Sequence, residues 1–295
     1  MISKIKNRIK KSVLSNPDRY NAKLYSNMEV NLAIKTAIQN ETPFLVSRIG
    51  SVELSALHNQ YKKRNWKVSV KKAMENNAGF FPATDNNLEE FCNIYNRDIS
   101  TIDILGIWYN EGESEIYNKY NFHKKVTELR NLEPYYSQEP WSASLKGKKV
   151  LVIHPFALTI GKQYENRKEI FQNSNILPEF NLITMKAVQT ISNTPTEFKD
   201  WFDALDYMKQ QINSIDFDVA IIGAGAYGLP LGAYIKQKKK VAIHLGGATQ
   251  ILFGIKGSRW DNHPIISKFY NEHWSRPSDV EKPEGFKQVE KGCYW

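Results

Sequence analysis

Cysteine is scarce in this sequence and long apolar runs are missing. Its 295 residues include only two cysteines, Cys92 and Cys293, which are too few and too far apart for a disulfide framework, a zinc site or a redox pair. With no secretory leader ahead of them, the expected setting is reducing and cytoplasmic. No apolar run approaches the roughly 20 residues of a membrane-spanning helix, so no transmembrane helix is expected. Repeats, low-complexity tracts and Gly/Ser linkers are missing too, which leaves one large globular domain or two small ones. Acid is the scarcer charge: 31 Asp and Glu stand against 40 Lys and Arg, a formal net charge of +9. Either an anionic partner or a generally basic surface accounts for that excess. Nucleic acid is not expected, because no basic cluster is interleaved with aromatics as in a known binding module.

The balance of what is present is ordinary, with 41% hydrophobic and 24% charged residues. The first eleven residues carry Lys4, Lys6, Arg8, Lys10 and Lys11 without an acid, threaded by Ile2, Ile5 and Ile9. Near-helical spacing makes residues 1–14 a basic amphipathic segment suited to peripheral contact with anionic lipid; a solvated terminus is the alternative. Strands are expected at Phe44–Ile49, Asp103–Trp108, Lys149–His154, Asn181–Lys186, Phe217–Ile222 and Lys240–Leu245. Helical periodicity marks Met28–Gln39, Val52–Lys62, Thr159–Gln172, Thr196–Asn213 and Gly228–Lys236. Alternation of this kind predicts an α/β fold with a Rossmann-like, mainly parallel sheet and helices on both faces. We divide the chain into the basic segment 1–22 and one domain, 23–295, with an internal seam or simple loop at 137–148.

Open α/β sheets take ligands beyond the carboxyl ends of their strands, and there the polar and glycine residues gather. One strand is followed by GAGAYG (Gly223–Gly228) and then a helix. That context suits a phosphate grip by Gly223, Gly225, Tyr227 and Gly228, although glycines also serve helix packing. The next strand delivers His244, Gly246, Gly247 and Thr249 in a second glycine-rich turn, as a ligand with two phosphates would need. A nicotinamide cofactor wants a ribose-binding acid at this strand end, and His244 stands there instead. His244 as a satisfied core residue is the competing interpretation. Lys256 and Arg259 can neutralise a diphosphate or form a solvated loop, and Trp260 can stack on a ring or fill the core. Another strand ends at His154. At the first strand, Ser51 reads as a helix cap and Glu53 as a complement to the helix dipole. Arg48, a charge ending a buried strand, calls for an acid or an anion.

The element Arg48-Ile49-Gly50-Ser51-Val52-Glu53 resembles the Arg-Phe-Gly-Asp-Gly-Glu element of GT-D-type glycosyltransferases. GKKVLVIHPFALTI, DFDVAIIGAGAYGLPL, HLGGATQILFGIKGSRWD and the closing GCYW resemble bacterial polysaccharide-biosynthesis proteins grouped with that fold. The likeness runs from Pro43 to the C-terminus. It implies a GT-D-like catalytic domain moving a sugar from a nucleotide-sugar donor, a UDP-sugar, to a glycan or polyprenyl-linked acceptor at the inner membrane face. It implies Arg48 and Glu53 as catalytic, and Gly50, Ser51 and His154 beside the donor. It also implies a divalent cation, Mn or Mg, on Glu53. Ser51 stands where the family has the aspartate of its Asp-x-Glu metal site, so that cation would need another acid such as Asp85, Glu111 or Asp261. The alternatives are an NAD(P)-dependent oxidoreductase and a non-catalytic nucleotide or glycan sensor.

Overall fold

The computed structural model describes residues 14–289 and 291–295; apart from Leu14, the expected basic amphipathic segment lies outside them. Among the described residues eight strands form one sheet: β1 (Lys23–Tyr25), β2 (Phe44–Ser47), β3 (Ile104–Ile107), β4 (Lys125–Glu128), β5 (Lys149–His154), β6 (Asn181–Lys186), β7 (Val219–Ile222) and β8 (Val241–His244). Their order is β1-β4-β3-β2-β8-β7-β5-β6, and every pairing is parallel. The principal helices are α1 (Asn27–Gln39), α2 (Ser51–Tyr61), α3 (Val68–Ala78), α4 (Asp85–Ile99), α5 (Glu113–Tyr120), α6 (Ala157–Glu165), α7 (Arg167–Ile170), α8 (Trp201–Asn213), α9 (Gly228–Gln237) and α10 (Ala248–Leu252). No described helix is long and apolar enough to cross a membrane.

Alternate residues of a strand point to opposite faces, and both faces are covered here. Leu45, Leu151, Ala220, Ile222 and Ala242 join a core with helices α2, α4, α8 and α9. Val46, Val150, Val152, Ile221 and Ile243 join the core on the other face, beneath α1 and α6. Two-sided burial is why VLVI and VAII are unbroken apolar runs. The stretch 137–148 leads into β5 through a short turn that buries Trp141 and Leu145.

Several boundaries depart from the sequence pattern for local reasons. The helix expected at Thr159–Gln172 breaks at Asn166 into α6 and α7. The one expected from Thr196 starts at Trp201, because the Asp200 carboxylate caps it by accepting from the Asp203 amide at 2.9 Å. The start of α6 is capped from far away: Glu281 accepts from the amide of Leu158 at 2.7 Å and that of Thr159 at 3.2 Å. The crossover after β5 leads outward to β6, whereas β7 and β8 lie on its other side. A crevice therefore opens at the carboxyl ends of β5, β7, β8 and β2, where such folds bind ligands.

Candidate functional site

The wall after β2 is built from side chains. Gly50, not Ser51, occupies the N-cap of α2, and no side chain caps that helix. This corrects the expectation for Ser51, which is an exposed residue of the first turn. A Cβ on Gly50 would fall 2.0 Å from Glu53 Oε2, so the missing side chain is what lets the buried Glu53 carboxylate fold back over the helix start. A carboxylate there offsets the partial positive charge of uncapped amides. Arg48 turns the other way. Its guanidinium carbon lies 3.9 Å from the Trp108 ring centre, and Trp108 is fixed by its indole N–H donating to the Ile49 carbonyl at 3.0 Å. Burial lowers the pKa of Arg48, while Tyr294, Glu133 and Glu53 pull it back up. An arginine keeps its charge under such pressure.

The opposite wall is built from backbone. A Cβ on Gly223 would meet His154 at 2.5 Å, the Gly246 carbonyl at 2.7 Å and the Thr249 hydroxyl at 2.8 Å, so the ends of β5, β7 and β8 converge on a point with no room for a side chain. Gly225 and Gly246 have φ of 52° and 61°, the left-handed region that favours glycine. The amides of Ala224, Gly225 and Gly247, three residues on the cavity wall, donate to no described residue. Free backbone donors at a glycine turn suit an anion. Gly228 has a different job: its missing Cβ makes room for the His244 ring, whose Nε2 would otherwise lie 2.1 Å away. Tyr227 stacks on Trp201 with ring centres 5.0 Å apart, and its neighbour Ala226 accepts from the Tyr95 hydroxyl at 2.6 Å. The fully buried Thr249 sits behind the turn.

Two histidines form the floor. His154 Nδ1 accepts from the Phe156 amide at 2.9 Å, which leaves the proton on Nε2. His244 Nδ1 meets the Ser47 hydroxyl at 2.9 Å. Desolvation drives both pKa values down to about 3, and the nearby Arg48 charge also lowers that of His244. Both rings are therefore neutral at physiological pH.

These walls enclose a cavity of about 360 Å³. It brings together Arg48, Gly50, Ser51, Glu53, His154, Gly223, Gly225, Tyr227, His244, Gly246, Gly247 and Arg259. Three expected residues are absent from its lining: Gly228 and Thr249 support it from behind, and Lys256 points away, with its ammonium 5.4 Å from the Tyr270 ring centre. The sequence reading missed Tyr95, Thr190, Gln250 and, above all, Tyr294 and Trp295. The closing aromatic residues fold into the site. Tyr294 would sit 2.6 Å from a Cβ on Gly247, the Arg259 guanidinium lies 4.7 Å from its ring centre, and the Trp295 carbonyl accepts from the Ser258 amide at 3.1 Å. The signal for them was composition alone, an apolar end to the chain.

Residues 25–252 match the family model described as a GT-D fold-like domain. The chain belongs to the GT-D fold-like family. Two solved structures are also similar. One, a selenomethionine-substituted structure of domain of unknown function 1792, has 13% identity and a TM-score of 0.46, covering 78% of this chain and 80% of its own. The other is titled as showing that the same highly conserved domain has a distinct glycosyltransferase fold; it has 12% identity and a TM-score of 0.45, covering 78% and 79%. No curated protein matches. Membership in the GT-D fold-like family supports a transferase and suggests glycosyltransferase activity.

The donor set of this GT-D site does not suit a hard divalent cation, which wants several carboxylate oxygens. Glu53 is the one carboxylate among the described residues on the cavity wall. Among the described residues no three His, Cys, Asp or Glu cluster as ligands. Asp85 is paired with Lys71, Asp261 is held by both oxygens to Arg276 at 2.7 and 2.8 Å, and Glu111 is not on the wall.

Proposed function

We propose that this protein is a glycosyltransferase that moves a sugar from a nucleotide-sugar donor, a UDP-sugar, to a glycan or polyprenyl-linked acceptor in surface polysaccharide synthesis. The observation that carries this reading is the single cavity that joins unpaired glycine-turn amides to Arg48, Arg259 and Glu53. In glycosyl transfer the acceptor oxygen bonds to the sugar's anomeric carbon as the bond from that carbon to the diphosphate breaks. The electron pair leaves with the diphosphate, and the acceptor proton passes to a base. Charge thus builds on the leaving oxygens, where fixed donors act most strongly. The turns after β7 and β8 supply amides, His154 supplies Nε2–H, and Arg48 and Arg259 supply charge. Glu53, opposite them, orients the sugar or the acceptor hydroxyl. With one carboxylate available, charge balance falls to the guanidinium groups.

The test is titration with UDP, UDP-sugars, other nucleotide sugars and NAD(P), with and without manganese, while donor hydrolysis is followed. Binding and hydrolysis of a nucleotide sugar is the expected outcome. NAD binding without nucleotide-sugar binding would sink the proposal. A sensor is the second reading, motivated by Ser51 in the aspartate position; tight nucleotide-sugar binding with no turnover, even with acceptors present, would favour it.

A further inference from the structure

Trp108 lines two cavities. On its far side, away from the glycine turns, lies a second hollow of about 610 Å³ bordered by Tyr109, Glu128, Glu133, Tyr136 and His263. Its chemistry differs from that of the first. Aromatic rings and the carboxylates of Glu128 and Glu133 border it, with one guanidinium, Arg130, and no glycine turn lines it.

Glu133 is the residue the fold does not explain. Its Oε2 accepts from the Tyr135 hydroxyl at 2.5 Å. Its Oε1 has no hydrogen bond to a described residue, yet is not among the sealed, unsatisfied atoms, so it opens on the cavity. No described cation lies within ion-pair distance, and only the Tyr135 hydrogen bond and, less strongly, the field of Arg48 favour its charge. Burial pushes its pKa up to about 7, so keeping a carboxylate there opposes folding. Tyr109 is held just as firmly: its φ is 61°, uncommon for a bulky residue and concentrated at functional sites. The Glu113 carboxylate holds the flanking amides of Trp108 and Asn110 at 3.2 and 3.3 Å, and the Tyr109 hydroxyl donates to Glu128 at 2.7 Å.

We propose that this second cavity binds a neutral pyranose, the sugar of the acceptor, with its C–H face against the aromatic wall and a hydroxyl on Glu133. Calling that sugar the acceptor rests on the glycosyltransferase reading; its binding here does not. Apolar walls with a few placed polar groups are the usual construction of a small-molecule site, and a hydroxyl donating to a carboxylate makes a strong, directional bond. Trp108 and Arg48 form the partition, so the two ligands would meet across one indole and one guanidinium.

The experiment uses the full chain, with saturation-transfer NMR and calorimetry. The probes are methyl glycosides of glucose, galactose, mannose and N-acetylglucosamine, and in separate titrations UDP. At least one glycoside should bind. Glu133→Gln and Tyr136→Ala should each weaken it about tenfold and leave UDP affinity within about twofold, with circular dichroism confirming the fold. UDP binding with no glycoside binding would overturn the second site and leave the glycosyltransferase reading standing. A glycoside displaced by UDP and indifferent to both substitutions would overturn it as well. Glycoside binding that responds to both substitutions, without UDP binding, would support the sugar site and remove the donor reading beside it.

Discussion

Two halves of the main cavity face each other and are made of different material. After β7 and β8 the wall is backbone: amides positioned by Gly223, Gly225 and Gly246, packed so tightly that no Cβ fits at Gly223. After β2 and β3 it is side chain: Arg48 flat on Trp108, and Glu53 folded over Gly50. A backbone wall is inseparable from the fold, because its donors are where they are only while three strands converge. A side-chain wall can lose its chemistry and keep its shape. Substitutions should therefore separate stability from activity on one side and not on the other.

The largest effect is expected at Gly223. Gly223→Ala puts a methyl against the Gly246 carbonyl, which cannot swing aside as a side chain can; a loss of about 3 kcal/mol in urea unfolding, together with donor binding, is expected. A loss under about 1 kcal/mol would show that the turn yields and would blur the contrast. Arg48→Ala should do the opposite, lowering turnover about 100-fold while the unfolding midpoint moves by about 1 kcal/mol or less. Equal damage to both readouts would make Arg48 a structural residue.

The halves should also titrate in opposite senses. His154 and His244 have pKa values near 3 when folded, against an ordinary 6.5, so between those values the unfolded chain binds more protons and stability falls as pH falls. Glu113 and Glu133, behind the side-chain half and off the main cavity wall, are raised by burial from 4.5 to about 7; there the folded chain binds more protons and stability falls as pH rises. From pH 4.5 to 6.5 these contributions oppose each other and the stability profile should be nearly flat. Glu133→Gln removes one opposing group and should tilt that window by up to about 1.4 kcal/mol per pH unit, with lower stability on the acid side. Denaturant melts at several pH values check it, and an unchanged slope would mean that Glu133 is not raised.

Smaller effects sharpen the picture. Ser51→Asp adds a second carboxylate near Glu53 and should raise manganese affinity about tenfold; calorimetry showing no change would mean that position 51 does not face a metal. Lys256→Ala should leave donor affinity within about twofold, because its ammonium sits over Tyr270.

What could be read in the residues follows the same division. Lys149–His154, buried on both faces, has the bounds that its composition suggests; the edge strand Asn181–Lys186 has them too, although only Met185 in it is buried. β1 and β4 did not, because Lys23–Tyr25 is a three-residue edge and Lys125–Glu128 carries charges at both ends. α4 went unread although Leu88, Phe91, Cys92 and Tyr95 repeat along one buried face. The glycine wall was visible because strand, glycines and helix are contiguous. The aromatic closure by Tyr294 and Trp295, the partition at Trp108 and the exposed oxygen of Glu133 depend on contacts between distant segments, and no local motif announces them. Ser51 was misread for a finer reason: Gly50 sits one residue earlier, and the Glu53 carboxylate covers the helix start that a serine would have capped.

The strand order carries a consequence for synthesis. β8 lies between β2 and β7, and no other described pairing joins β1–β4 to β5–β7. Among the described strands it is also the last in the chain. Until residues 241–244 emerge from the ribosome, β2 and β7 both lack the partner that they share. Such edges invite pairing with other chains. The centre of the sheet, which also forms the floor of the cavity, is the point where a stalled or truncated chain would be most prone to aggregate.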